Sequence, residues 1–177
     1  MACPPSDESV PVLPYRIAVL CYLFNERGQV LLLHRRRPPN KDLFSPVGGK
    51  LEMDRGESPT DCALREIREE AGLAVDPAAL PLTGIVSEAG FDDRMHWLMF
   101  LYEVTHPVSI ERMQFDEGAL EWHDPAAIPA LPIPATDREV IWPLFWQYRG
   151  RFFMAHINCH NGRMQWWLQQ PAEKTGK

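Results

Sequence analysis

Three glutamates within five residues, Glu66, Glu69 and Glu70, form the most chemically loaded group in the chain, and a Gly48-Gly49-Lys50 turn lies shortly upstream. On a helix, at about 100° per residue, the three gather on one arc while Ala63, Leu64, Ile67 and Ala71 fall on the other. Like charges at i,i+3 and i,i+4 cost a helix a few tenths of a kcal/mol per pair, so the cluster needs compensation. Arg65 and Arg68 supply some of it if the face is merely solvated. A hard cation supplies more, because Mg²⁺ takes oxygen ligands and shares them between carboxylates and substrate phosphates. A Gly-Gly turn lets the backbone approach such a ligand closely and offer it carbonyls or N–H groups. The combination points to metal-assisted chemistry on a phosphate compound.

These groups must be held by elements that the sequence also marks. Ser58 is a good N-cap, Pro59 fits the first helical position, Asp61 completes a capping-box pattern and Gly72 supplies the stop, which predicts a helix over 59–71. Upstream, residues 15–24 and 30–35 read as strands of a hairpin about Asn25-Glu26-Arg27-Gly28. Arg35-Arg36-Arg37-Pro38-Pro39 then makes a basic, rigid loop, either solvated surface or a phosphate contact, and 43–47 is the strand that delivers the glycine turn. Downstream, strands are expected over 82–88 and 95–104 around Ala89-Gly90, with His96 packed or bonded to backbone. Phe115 to Trp122 reads as a loop carboxylate, a glycine and a strand carrying Glu121-Trp122, and a Pro-rich connection follows over 125–134. A second helix over 136–148 has Thr136 as N-cap and Pro143 as a kink or stop. A last hairpin turns at Asn161-Gly162. This order implies one mixed sheet between helices.

Composition narrows the classes. With 177 residues, 45% of them hydrophobic and 24% charged, the chain suits a single domain, expected over 15–170 with a loose leader over 1–14 and a polar tail over 171–177. The net charge of −6 speaks against a partner that is a nucleic-acid polymer. Four cysteines without a C-x-x-C pair fit reduced thiols and a cytoplasmic location. No apolar run reaches the ~18 residues of a membrane span, and no internal repeat, P-loop lysine motif or dinucleotide fingerprint occurs.

From Glu57 onward the residues resemble the Nudix box, G-x5-E-x7-R-E-U-x-E-E-x-G-U with U aliphatic: seven residues follow Glu57, then Arg65-Glu66-Ile67-Arg68-Glu69-Glu70-Ala71-Gly72-Leu73. The first half departs, with seven residues rather than five between Gly49 and Glu57, as though two had been added around Asp54-Arg55. The resemblance implies an α/β fold, the Nudix α/β/α sandwich with a mixed central sheet, here with an extra C-terminal β-hairpin. It also implies Mg²⁺-dependent hydrolysis of a nucleoside diphosphate linkage, with Mn²⁺ as a substitute metal. Glu66, Glu69 and Glu70 are then the metal ligands, joined by the Gly48 carbonyl, while Glu57 and Arg65 brace the loop on the helix. Glu117 matches the downstream glutamate loop of MutT-like members, a metal ligand or base there, so it competes with the box glutamates for the proton of the attacking water. Arg35, Gly49 and Lys50 are placed at the substrate phosphates.

The order Asp137, Trp142-Pro143-Leu144, then Phe152-Phe153 and a terminal hairpin is similar to the oxidised-purine nucleoside triphosphate hydrolases of the family. There an acidic pair before the second helix's proline reads the purine edge. Asp137 matches one acid, Arg138 stands in place of the other, and Ser45 occupies the position of an expected amide. Trp122 and Phe44 are open as base-stacking or core residues. The leading expectation is a (d)NTP pyrophosphohydrolase giving a monophosphate and pyrophosphate, acting as monomer or homodimer. An ADP-ribose or dinucleoside polyphosphate hydrolase and a non-catalytic nucleotide-binding regulator are the alternatives.

Overall fold

The helix that carries the glutamates forms where its signals place it. In the computed structural model, which describes residues 13–37, 40–91, 94–111, 114–115 and 118–171, helix α1 spans Pro59–Ala71. Ser58 Oγ accepts the Asp61 amide, and Gly72 closes the helix in the left-handed conformation at φ 70°, its N–H donating to the Arg68 carbonyl. Strands β1 (Tyr15–Tyr22), β2 (Val30–Arg35) and β3 (Phe44–Pro46) precede α1. Strands β4 (Leu82–Phe91), β5 (Met95–Glu103), β6 (Gln114–Phe115) and β7 (Gly118–His123) follow it, then helix α2 (Trp142–Tyr148) and the hairpin β8 (Phe153–Asn158) and β9 (Gln165–Gln170).

The strands divide between a mixed five-stranded sheet, ordered β1-β5-β4-β8-β9, and an antiparallel four-stranded one, ordered β3-β2-β7-β6. In the first, β1 runs parallel to β5 and β4 parallel to β8, while β5/β4 and β8/β9 are antiparallel. One core cluster lies under α1, where Cys62, Ala63, Ile67 and Ala71 meet Val19, Cys21, Leu31 and Leu33. The other lies under α2, where Trp142, Leu144 and Phe145 meet Tyr22, Val86, Leu101 and Phe153. Each large apolar side chain buried this way contributes about 1.5–3 kcal/mol, and the two clusters fix both helices against the strands that flank the glycine turn.

Four local expectations change. The predicted hairpin of 15–24 with 30–35 is not a ladder: β1 and β2 enter different sheets, joined only by the Phe24–Val30 bridge around the turn. Beyond Val19 the β1 backbone is taken by Val47 and Gly49, which leaves nothing for β2. The turn at Ala89-Gly90 is absent; β4 runs through it to Phe91, with a register slip between the Glu88–Trp97 and Phe91–Met95 pairs and Gly90 at φ 73°, the signature of a glycine-assisted bulge. The second helix opens as a π turn, Asp137–Ile141, in which the Trp142 amide reaches the Asp137 carbonyl. Pro143 has no N–H to continue an α ladder, and the wider turn absorbs that loss. Thr136 is already helical and makes no side-chain cap. Finally, the mixed sheet is accompanied by a second, antiparallel one of four strands.

Candidate active site

Residues 47–51 lie along β1 as an irregular antiparallel partner: Cys21 N–H donates to Val47 O at 2.7 Å, Val19 to Gly49 O at 2.9 Å, and Leu51 N–H to Ile17 O at 3.1 Å. The two glycines are constrained to different degrees, Gly48 by backbone and Gly49 by a side chain that a substituent would displace. Gly48 sits at φ 151°, and a Cβ there would strike the Val19 carbonyl behind the turn. A Cβ on Gly49 would strike the Glu66 carboxylate in front of it. The Gly48 N–H donates to Glu70 Oε2 at 3.0 Å, tying the turn to α1 from beneath.

The longer spacing before Glu57 is contained in a small closed loop. Met53–Arg55 forms a 3₁₀ turn ended by Gly56 in the left-handed region. Glu57 Oε2 accepts the Glu52 amide at 2.8 Å, and the Glu57 amide returns to Glu52 O at 3.3 Å. Glu52 and Glu57 therefore form the neck of the loop, and the added residues bulge outward without displacing the start of α1.

Arg65 is the hub on the opposite side of that neck. Its Nε and Nη2 hold both oxygens of Glu57 at 2.7 and 3.0 Å, a two-pronged pair. Nη2 also donates to Lys50 O at 3.2 Å, and Nη1 donates to Glu66 Oε1 at 2.7 Å and Glu69 Oε2 at 3.2 Å. The guanidinium holds the Glu57 carboxyl down at about 2, and the same bonds raise Arg65 above its ordinary value. Burial, and then the charges of Glu57 and Glu66, push the neighbouring Cys62 thiol up to about 12, so it is no nucleophile at neutral pH.

Glu66 and Glu69 open into a cleft of about 440 Å³ whose wall also includes Gly48, Gly49, Arg35 and Lys50. Glu70 does not line it. The residue is 3% exposed, because its position three after Ile67 and one before Ala71 puts it at the edge of the buried arc rather than on the solvated one. Among the described residues no three His, Cys, Asp or Glu side chains converge into a ready metal cage. Mg²⁺ does not need one: it is usually held by one or two carboxylates plus substrate phosphates. Glu66 and Glu69, with the Gly48 carbonyl, which accepts no hydrogen bond among the described residues, make a donor set of that kind.

A second group of residues in the same cleft has a different chemistry. Ser45, Glu88, Phe91, Trp97 and Asp137 line it. The Ser45 Oγ is buried and has no hydrogen-bond partner. Asp137 is buried, and desolvation followed by the charge of Glu88 raises its carboxyl to about 7. Phe91 and Trp97 meet edge to face at 6.4 Å, and the Lys50 ammonium lies 5.9 Å from the Trp97 ring centre.

The expected residues thus fall into three sets. Gly48, Gly49, Lys50, Arg35, Ser45, Glu66, Glu69, Arg65 and Asp137 share the cleft. Glu57 and Glu70 stand behind it, on Arg65 and on Gly48. Glu117 lies outside the described residues. Phe44 stacks on His34 at 4.5 Å and Trp122, half-buried, packs against the core under α1; neither lines the cleft. Glu88, Phe91 and Trp97 were not anticipated. The phase of β4 carried a signal: Glu88 alternates with Gly84 and Val86 on the inward face, where a carboxylate is out of place.

Comparison with known proteins identifies the family. The NUDIX domain family model matches residues 14–142. The chain is 30% identical over 114 residues to the uncharacterized Nudix hydrolase YvcI of Bacillus subtilis, covering 64% of this chain and 69% of that protein. It is 29% identical over 126 residues to a putative 8-oxo-dGTP diphosphatase of the same organism, covering 71% and 78%. A crystal structure of a mutator MutT protein from Bacillus halodurans superposes with a TM-score of 0.70 at 26% identity, covering 87% of this chain and 97% of that one. The chain belongs to the Nudix hydrolase family, enzymes that act on pyrophosphate bonds, and has the mixed α/β architecture of its MutT-like members.

Proposed function

We propose that this protein is a Mg²⁺-dependent pyrophosphohydrolase that cleaves a purine nucleoside triphosphate, including oxidised forms, to the monophosphate and pyrophosphate. The observation that carries the reading is the composition of one cleft, which brings box carboxylates and basic side chains together with buried polar and aromatic ones. A cleft of about 440 Å³ is in the range of small-molecule sites. The relative named as a putative 8-oxo-dGTP diphosphatase supports the choice of substrate.

In this reading, Arg35 and Lys50 meet the phosphate chain and the buried polar and aromatic side chains take the base. Glu66, Glu69 and the Gly48 carbonyl hold the metal, with Glu70 fixing the Gly48 amide and adding its charge from behind. A metal held there would neutralise phosphate charge, orient the attacking water and lower its pKa. Water's oxygen bonds to phosphorus, its proton passes to a carboxylate, and the bridging P–O bond breaks to release pyrophosphate. Glu66, Glu69 and Glu117 are the candidates for that proton, since Glu70 stands behind the cleft. The Glu57–Arg65 pair acts only by holding the turn against α1.

The test is product analysis with Mg²⁺ and a panel of dGTP, 8-oxo-dGTP, ADP-ribose and a dinucleoside polyphosphate. Monophosphate and pyrophosphate from the triphosphates, with 8-oxo-dGTP preferred, is the expected result. AMP from ADP-ribose alone would reassign the substrate, and binding without any product would make the protein a nucleotide sensor.

A further inference from the structure

The two faces of the five-stranded sheet are covered unequally. Along β8 the pattern alternates strictly: Phe153, Ala155 and Ile157 are buried in the core beneath α2, while Met154, His156 and Asn158 are only half-buried. Strand β4 repeats it, with Gly84, Val86 and Glu88 buried and Ile85, Ser87 and Ala89 turned to the other side. On that second face α1 covers one end, at Val19, Cys21 and Tyr102, where Thr60 Oγ1 and the Tyr102 hydroxyl are hydrogen-bonded at 3.1 Å. Among the described residues no α-helix packs on the rest.

The uncovered part has an unusual composition. The strand register sets Ile17, Leu98, Ser87, His156 and Trp167 side by side in one row across all five strands. The next row holds Phe100, Ile85 and Met154. A sheet face open to water normally carries polar side chains, and 24% of this chain is charged, yet neither row contains an Asp, Glu, Lys or Arg. At one end of the face Trp167 is 46% exposed, and at the other Tyr15 is 56% exposed beside the His96 ring. The polar members of the row serve each other: Ser87 Oγ and His156 Nδ1 lie 2.7 Å apart, a bond that survives exclusion of water. Trp167 packs on the His156 ring at 4.8 Å. Five strands about 4.8 Å apart and side-chain rows about 7 Å apart span roughly 400 Å², the scale at which an apolar patch marks an interaction site.

We propose that this face is an interface with a second copy of the chain, the two sheets meeting face to face about a two-fold axis. Charge identifies the occupant. Each copy carries a net −6, so two copies repel across much of their surfaces. A two-fold axis sets a patch against itself; a patch of net charge then opposes its own sign, whereas a neutral apolar one does not. Trp, Tyr, Phe and Met, all present here, are the residue types that such contacts favour. An interface of this size stands at the small end of the range, so the dimer should be reversible. It is independent of the nucleotide reading, because the cleft is walled by Leu20, Trp97, Met99 and Glu88 from the opposite face of the same strands.

Sedimentation velocity of the full chain, from about 1 to about 200 µM, tests the proposal, with the fold of each variant checked by circular dichroism. The wild-type mass should rise with concentration from one chain toward two. Leu98→Glu with Met154→Glu, and Leu98→Lys with Met154→Lys, should each stay monomeric, because each face then repels its own copy. An equimolar mixture of the two should associate again, a recovery that loss of stability alone does not produce. Trp167→Glu, on the exposed edge strand, is the milder variant and should weaken association about tenfold or more. A wild type that is monomeric throughout would overturn the proposal; if a chain shortened by residues 1–12 then dimerised, the leader would be the occupant instead. Unchanged association in Trp167→Glu, or folded charge variants that dimerise like the wild type or stay monomeric when mixed, would overturn it equally.

Discussion

The two ends of the cleft handle negative charge in opposite ways. At the box end, Glu57, Glu66 and Glu69 converge on one guanidinium, and Glu70 is anchored by a backbone amide. Charge there is compensated in advance, and the turn is locked to the helix by bonds of 2.7–3.2 Å. Among the other lining acids, at the end we assign to the base, Asp137 is buried against the like charge of Glu88. The first arrangement suits a site that must keep its carboxylates ionised for a metal; the second favours a carboxyl that keeps its proton. A single fold supplies both because α1 brings an arginine that holds its carboxylates, whereas the arginine of the π turn, Arg138, is spent on the Pro129, Leu131 and Ile133 carbonyls.

The largest effect expected is on turnover. Glu70→Gln retains an acceptor for the Gly48 amide but removes the charge, and it should cost at least about a hundredfold in kcat with an unchanged circular dichroism spectrum. Near-normal turnover would sink the assignment of the box end to metal binding.

Next comes stability at the same end. The folded Glu57 carboxyl is lowered to about 2, so its contribution is full above the ordinary value near 4.5 and is lost as pH falls through the folded one. Glu57→Gln should lose about 2 kcal/mol at pH 7, discounted for the partial exposure of Arg65, and should unfold with a flatter pH dependence between 4.5 and 2. Denaturant titrations at both limits measure this.

The base end should respond with the opposite sign. The folded Asp137 carboxyl is raised to about 7, so burying its charge lowers stability progressively as pH rises from about 3.8 to about 7. Asp137→Asn should therefore melt above the wild type at pH 8, by about 3 °C or more, and the gain should vanish near pH 4. A gain independent of pH would mean that burial of the charge is not its cause. The smallest effect is expected from Lys50→Ala, which should raise KM several-fold with little change in kcat and should steepen neither pH profile, because the ammonium lies at the exposed rim.

Much of the box end was legible in the sequence because it is local. Ser58, Pro59 and Gly72 set the bounds of α1, and Gly48-Gly49 set the turn, through rules that operate within a few residues. Glu70 was misplaced onto the solvated face because a wheel at 100° per residue does not say how wide the buried arc is; the tertiary bond from the Gly48 amide decides that. Glu88, Phe91 and Trp97 come from β4 and β5, which join β1 through the pairing of β5 with β1, a contact across more than 70 residues. The division of the strands into two sheets was hidden for the same reason: short-range turn signals at residues 25–28 predict a reversal of the chain, not which partner each strand takes.

The most direct test of the central claim is ³¹P NMR of dGTP incubated with the wild-type protein and Mg²⁺ in ¹⁸O-enriched water. The account predicts dGMP and pyrophosphate, with one ¹⁸O incorporated across the two products and none of either without the metal. Appearance of dGDP and inorganic phosphate, or equal turnover in the presence of a chelator, would contradict it.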